Sequence, residues 1–158
     1  MNAMLQKVVE TPVNVEHIMV ECLFLHMIQI PVQHFPQAYV SAILYHMVKT
    51  DATMLSPAIG IVVELLFRKI PEMDVEVVDL FCKAFSHFLS NFDFKWRWSN
   101  WDYVLEAAED DPQRLFVAAV IERCVRLSYR DRVQKELPES FASLLPPLAN
   151  HAIKFLGV

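Results

Sequence analysis

Two glycines in 158 residues, Gly60 and Gly157, restrict this chain more than any motif in it. Tight β-hairpins turn on Asn-Gly or Asp-Gly pairs, and neither pair occurs, which argues against a hairpin-rich β fold. The glycine-dependent catalytic loops are missing for the same reason. There is no phosphate-cradling GxxxxGK[ST] and no GxSxG elbow. What remains is a series of long apolar-patterned runs separated by nine prolines, the punctuation of a helical protein.

Taken in order, Thr11-Pro12 reads as an N-cap followed by proline in the first turn. Residues 13–30 after it are apolar almost all round, so that helix is expected between neighbours on several sides until Pro31 stops it. A second helix over 35–49 carries Tyr39, Ile43 and Met47 four apart, and a third runs from Ser56-Pro57 to Lys69. Ile59, Val62, Val63, Leu66 and Ile70 form the inner face of the third, where Gly60 suggests close approach of another backbone. Asp74 caps a fourth helix to Asn91, with a seam of Val75, Val78, Cys82, Phe85, Leu89 and Phe92 and an outer stripe of Glu76, Asp79, Lys83 and Ser86 or His87. Ser99-Asn-Trp-Asp102 is a variant capping box opening a short helix through Ala107. Pro112 starts a helix to Leu127 that buries Phe116, Val120, Cys124 and Leu127, and Ser128 with Asp131 caps one more turn or two through Lys135. Pro138 allows a last short helix over 139–145, which Pro146-Pro147 closes. In pairs these helices recur at roughly forty residues, the period of HEAT-type repeats. The expected fold is therefore all-α, a HEAT-like α-α superhelix of antiparallel helix pairs. It is expected as one domain over residues 1–148, with 149–158 as a tail or the start of a further segment.

The fourth helix leads into HFLSNFDFKWRWSNW, residues 87–101, which holds all three tryptophans of the protein. Each such ring buries on the order of 150–250 Å² when packed, too much for an ordinary solvated loop. The stretch is either a wedge sealing helical layers or a platform for a partner. If it is extended, alternation sends Trp96 and Trp98 one way and Lys95 and Arg97 the other. The tryptophans then pack, and the two cations are free to meet a partner.

Net charge of −5 disfavours nonspecific binding to nucleic acid. Residues 1–79 hold four basic and nine acidic side chains and residues 80–158 ten of each, so a surface for an acidic partner falls in the second half, around Arg123, Arg126, Arg130 and Arg132. The competing reading of those arginines is a solvated helix face. Apolar residues make up 54% of the chain, which suggests a domain whose flanks are covered by neighbours. Charged and polar residues interrupt every apolar run, so no transmembrane span is expected, and the opening MNAMLQKVVETP lacks the pattern of a signal peptide. Cys22, Cys82 and Cys124 lie apart among apolar residues and read as buried free thiols, as in a reducing compartment. The six histidines form neither HExxH nor a zinc-spaced set. No catalytic residue, cofactor site or metal site is expected, and the chain does not read as an enzyme. Of the two competing functions, a helical bundle gripping a partner helix in an apolar groove stands ahead of a metal-dependent hydrolase.

The order and spacing of Ser-Asn-Phe, Phe-Lys-Trp and Trp-Ser in residues 87–101, followed by Arg-Leu-Ser-Tyr at 126–129, resemble the large subunits of nuclear cap-binding complexes. The resemblance covers roughly residues 5–148 and is to the middle of three helical domains, each similar to the middle domain of eukaryotic initiation factor 4G. It implies the same HEAT-like architecture and a scaffold role. The scaffold would support binding of the mRNA 7-methylguanosine cap by an RNA-recognition-motif small subunit, and so mRNA processing and export. The partners implied are that subunit, capped RNA through it, and the other helical domains of the large subunit, in the nucleus and with no membrane. Asn91, Phe92, Phe94, Trp96, Trp98, Trp101 and Tyr129 match the pattern as structural core; Lys95, Arg97, Arg123, Arg126 and Arg130 are the candidates to face a partner.

Overall fold

The computed structural model describes residues 14–147. These form two compact units, the first ending at Lys69 and the second beginning at Ile70. Among the described residues every regular element is a helix, so the fold is all-α.

The first unit contains α1 (Val15–Ile28), α2 (Gln37–Thr50) and α3 (Ala52–Lys69), with α1 packed on both of the others. The expected cap at Thr11-Pro12 lies outside the described residues; the cap of α1 is Asn14, whose carboxamide oxygen accepts the His17 N–H at 3.1 Å. The helix stops at Ile28, because the residue before Pro31 is biased away from helical ψ. Gln33 then donates its side-chain amide to the Met27 carbonyl at 2.8 Å, satisfying an acceptor that the helix end leaves open. Val20, Phe24, Met27 and Ile28 are buried, whereas Val15, Ile18, Met19, Cys22 and Leu25 are exposed. A helix apolar all round is thus covered on one side only, and Cys22 is not the buried thiol that its setting suggested.

Corrections in α2 and α3 have simple causes. In α2 the buried stripe is Val40, Ser41, Leu44 and Val48, one residue on from Tyr39, Ile43 and Met47. Both stripes have helical spacing, and the contact with α1 selects between them: Ser41 is buried and donates its hydroxyl to the Met27 sulfur at 3.5 Å. Helix α3 begins a turn before Ser56-Pro57, because the Asp51 carboxylate accepts the Met54 N–H at 3.1 Å and caps it. Pro57 is then inside the helix on an exposed face, where the carbonyl it leaves unbonded reaches water. Leu55, Ala58, Ile59, Val62, Val63 and Phe67 are buried, with Phe67 taking the place expected for Leu66.

The second unit is built on α4 (Val75–Asn91) against α5 (Pro112–Leu127). Each has an aspartate cap: Asp74 accepts the Glu76 N–H at 2.8 Å, and Asp111 accepts those of Gln113 and Arg114 at 2.9 and 3.0 Å. Phe81, Cys82, Phe85 and Leu89 of α4 and Phe116, Val117, Val120, Ile121 and Cys124 of α5 are buried, and Phe81 stacks on Phe116 at 4.7 Å between ring centres. The α4 face is centred on Phe81, Ala84 and Phe85, so Val75 at the first turn and Leu127 at the last turn of α5 are exposed. Ser86 also joins the core, donating its hydroxyl to the Cys82 carbonyl at 2.6 Å.

A short α6 (Arg130–Glu136) packs on α5, and 3-10 helices span Ile70–Glu72, Trp98–Leu105 and Glu139–Leu144. Neither serine cap forms. The segment after Arg97 turns already at Trp98, driven by burial of that ring, and Ser128 ends α5 while Tyr129 precedes α6.

Gly60 is half-buried in α3, and a Cβ placed there would meet nothing within 4 Å. Among the described residues no backbone crosses it, contrary to the expectation from sequence. Gly60→Ala should therefore raise stability by about 0.5–1 kcal/mol through reduced chain entropy, read as a higher urea midpoint with an unchanged slope.

Candidate functional site: the aromatic connector

Helix α4 ends at Asn91, and the chain reverses through Asp93 and Phe94, both with left-handed φ, 57° and 59°. The Phe94 N–H returns to the Leu89 carbonyl at 2.8 Å, the six-to-one bond of a Schellman ending. Glycine usually occupies such a turn, and each side-chain-bearing residue there costs roughly 1–2 kcal/mol. Long-range contacts hold it. Arg132 of α6 donates to the Asp93 carboxylate at 2.7 Å, and its guanidinium lies 5.9 Å from the centre of the Phe94 ring, which is itself buried.

After the reversal the side chains alternate: Lys95 exposed, Trp96 half-buried, Arg97 exposed, Trp98 buried. Trp101 has no exposed surface and is the centre of the cluster, with ring centres at 5.8 Å to Phe85, 5.8 Å to Trp96 and 6.0 Å to Trp98. Trp96 also meets Phe85 edge-on at 4.9 Å, and Trp98 reaches Phe141 of the 3-10 helix Glu139–Leu144 at 5.9 Å. The connector thus ties α4 to the end of the unit. The Trp98 Nε1–H is buried without an acceptor among the described residues, a defect costing about 1–3 kcal/mol, so burial of its ring must outweigh it.

The other motif residues sit nearer the surface. Asn91 is exposed and donates its side-chain amide to the His87 carbonyl at 2.9 Å. Phe92 is half-buried against Phe88, and Tyr129, grouped with the core by the motif, is 61% exposed beside the cap of α6. Of the candidate partner-facing cations, Arg123 is tied across helices to Asp79 at 2.6 Å. Lys83 also holds Asp79 at 2.6 Å, and its hydrogen bond is the first cause of an Asp79 carboxyl lowered below its ordinary range, against the opposing effect of burial; the charges of Lys83 and Arg123 add to the lowering. Arg126 pairs with Glu122 one turn earlier. Arg130 donates to the Pro146 carbonyl at 3.0 Å and to Gln134 at 3.3 Å. The side chains of Lys95 and Arg97 make no ion pair or hydrogen bond among the described residues, and only their backbones are bonded, Lys95 N–H to the Phe92 carbonyl and the Arg97 carbonyl to Asn100 N–H. The connector brings these two together at its outer edge and leaves the three arginines engaged elsewhere.

Arg132 and Asp93 were not expected to act together. The trace in the sequence is Asn91-Phe92-Asp93, since Asn and Asp are the residues besides glycine that tolerate left-handed φ. Buried Cys82 and Cys124 are not poised for chemistry: desolvation raises both thiols, Cys124 to about 12. Among the described residues no three His, Cys, Asp or Glu side chains are grouped to hold a metal ion, and no helix is long and apolar enough to cross a membrane.

Residues 4–139 match the protein-family model described as MIF4G like. The chain is 31% identical over 134 residues to nuclear cap-binding protein subunit 1 of Aedes aegypti, covering 85% of this chain and 16% of that protein. The same protein of Anopheles gambiae is 31% identical over 134 residues, covering 85% of this chain and 17% of the relative. That of Homo sapiens is 32% identical over 127 residues, covering 80% and 16%. The chain therefore spans about a sixth of the length of these relatives.

Trp101→Ala should cost about 3–5 kcal/mol, and Trp96→Ala distinctly less because that ring is half-buried, both measured by chemical denaturation. At pH 8 iodoacetamide should label Cys22 alone in the native protein, and all three thiols after unfolding, as counted by mass spectrometry.

Proposed function

The chain belongs to the MIF4G-like family, and from that membership we propose that it acts as a helical scaffold within a nuclear cap-binding complex. In this reading it is a part of the large subunit. It braces an RNA-recognition-motif small subunit that binds the 7-methylguanosine cap, in the nucleus and in support of mRNA processing and export. It meets capped RNA through that subunit and works beside the other helical domains of the longer protein. It carries no catalysis of its own.

The observation that supports this reading is the division of labour in residues 95–101. The indoles of Trp98 and Trp101 are committed to the interior, and Lys95 and Arg97 are held outward by the same backbone without ion-pair partners among the described residues. A rigid edge carrying two unpaired cations suits an acidic patch on another polypeptide, where complementarity sets register and association rate. It is too small for a nucleic-acid groove on a protein of net charge −5.

Charge reversal at both positions, Lys95→Glu with Arg97→Glu, should weaken capture of the small subunit by about tenfold or more while the melting temperature stays unchanged. The chain alone should not be retained on a capped oligonucleotide. Unaltered capture by the double variant would remove the cations from the interface, and tight retention on the cap would overturn the scaffold reading.

A further inference from the structure

The second surface of interest is in the first unit and owes nothing to the connector. From Cys22 to Val48 the chain contains no Asp, Glu, Lys or Arg, in a protein where those residues make up 21% of the whole. That run is not simply core. Leu25, Ile30, Val32, Phe35, Tyr39 and Tyr45 within it are exposed.

On α1 the exposed residues have a rhythm of their own. Val15, Ile18, Cys22 and Leu25 are spaced three, four and three apart, so they form a straight seam on the side away from buried Val20, Phe24 and Met27. Ile18 is 48% exposed and Leu25 62%. At its C-terminal end the seam passes into an aromatic group, His26 edge-on to Phe35 at 5.9 Å and Phe35 beside Tyr39 at 6.1 Å. An apolar stripe at this spacing is what one helix offers another for knobs-into-holes packing.

The charge beside the seam selects the occupant. Glu16 and Glu21 are the only Asp, Glu, Lys or Arg residues of α1, and Glu21, next to Cys22, is exposed at the edge of the seam. A second copy packed antiparallel on the same seam would bring this carboxylate against its own counterpart, and an anionic lipid surface would be repelled in the same way. Lysine or arginine at the positions flanking a partner's stripe would pair with Glu21 instead. We propose that the outer face of α1 docks an amphipathic helix of a partner protein, with apolar residues at three-four spacing and basic residues at its edges.

Cys22 lies in the middle of the seam and is the exposed thiol, so its alkylation reports occupancy directly. The probes are two synthetic three-heptad peptides with leucine at the a and d positions, one with lysine and the other with glutamate at e and g. The lysine peptide should slow alkylation of Cys22 by iodoacetamide about tenfold or more, and the glutamate peptide should leave it nearly unchanged. Ile18→Gln or Leu25→Gln should abolish that protection without lowering the melting temperature, and Glu21→Gln should weaken it. The proposal fails if neither peptide protects, if both protect equally, or if the two glutamine variants remain protected. Alkylation that slows with the protein's own concentration, without peptide, would assign the face to a second copy.

Discussion

Burial of the Trp101 indole among Phe85, Trp96 and Trp98 is the interaction on which the second unit depends. Phe85 comes from the middle of α4, and the other two rings come from the segment that follows it. The same cluster extends through Phe81 to Phe116 of α5 and through Trp98 to Phe141. Aromatic pairs of this kind contribute about 0.5–1.5 kcal/mol each beyond the area they bury, and they fix orientation as well as distance. A leucine in the same place would fill part of the volume without setting the angle between the elements it joins.

That packing explains a backbone that local preference would not choose. For the connector to fold back on α4, the chain must reverse within two residues, and it does so with Asp93 and Phe94 in left-handed conformation. Such geometry persists when the surroundings determine it more strongly than the local cost opposes it. Here the Phe94 ring is buried and Arg132 grips both residues from α6. Once the turn is set, alternation along 95–98 leaves Lys95 and Arg97 no inward direction. The cationic edge is thus a consequence of indole packing, and packing keeps it rigid.

Much of this was legible from sequence. Asp74 and Pro112 mark the starts of α4 and α5, the fourth helix ends at Asn91, and the alternation of cations and indoles in 95–98 is present as written. Errors clustered where two readings share one periodicity. Helix α2 has two stripes four apart, and only contact with α1 decides that Val40 and Leu44 are inside while Tyr39 is outside. Serine caps at Ser99 and Ser128 fit the local pattern but lost to ring burial, which set the boundary at Trp98, and to the length of α5. Gly60 suggested a neighbour that is absent among the described residues, because a glycine in a helix does not by itself report what faces it.

By itself the amino-acid sequence determined the helical class, the aspartate cap of α4 and the pairing of a helix with an aromatic connector. Those follow from short-range chemistry: caps, prolines, scarce glycine and apolar period. Tertiary structure decided which cations are free. Arg123 and Arg130 look equivalent to Lys95 and Arg97 along the chain, yet Asp79 and the Pro146 carbonyl occupy them, whereas Arg126 meets Glu122 one turn away in its own helix. It also decided that α1 is covered on one face and open on the other. A helix apolar all round carries no local signal of direction, and only the placement of α2 and α3 against it breaks the symmetry.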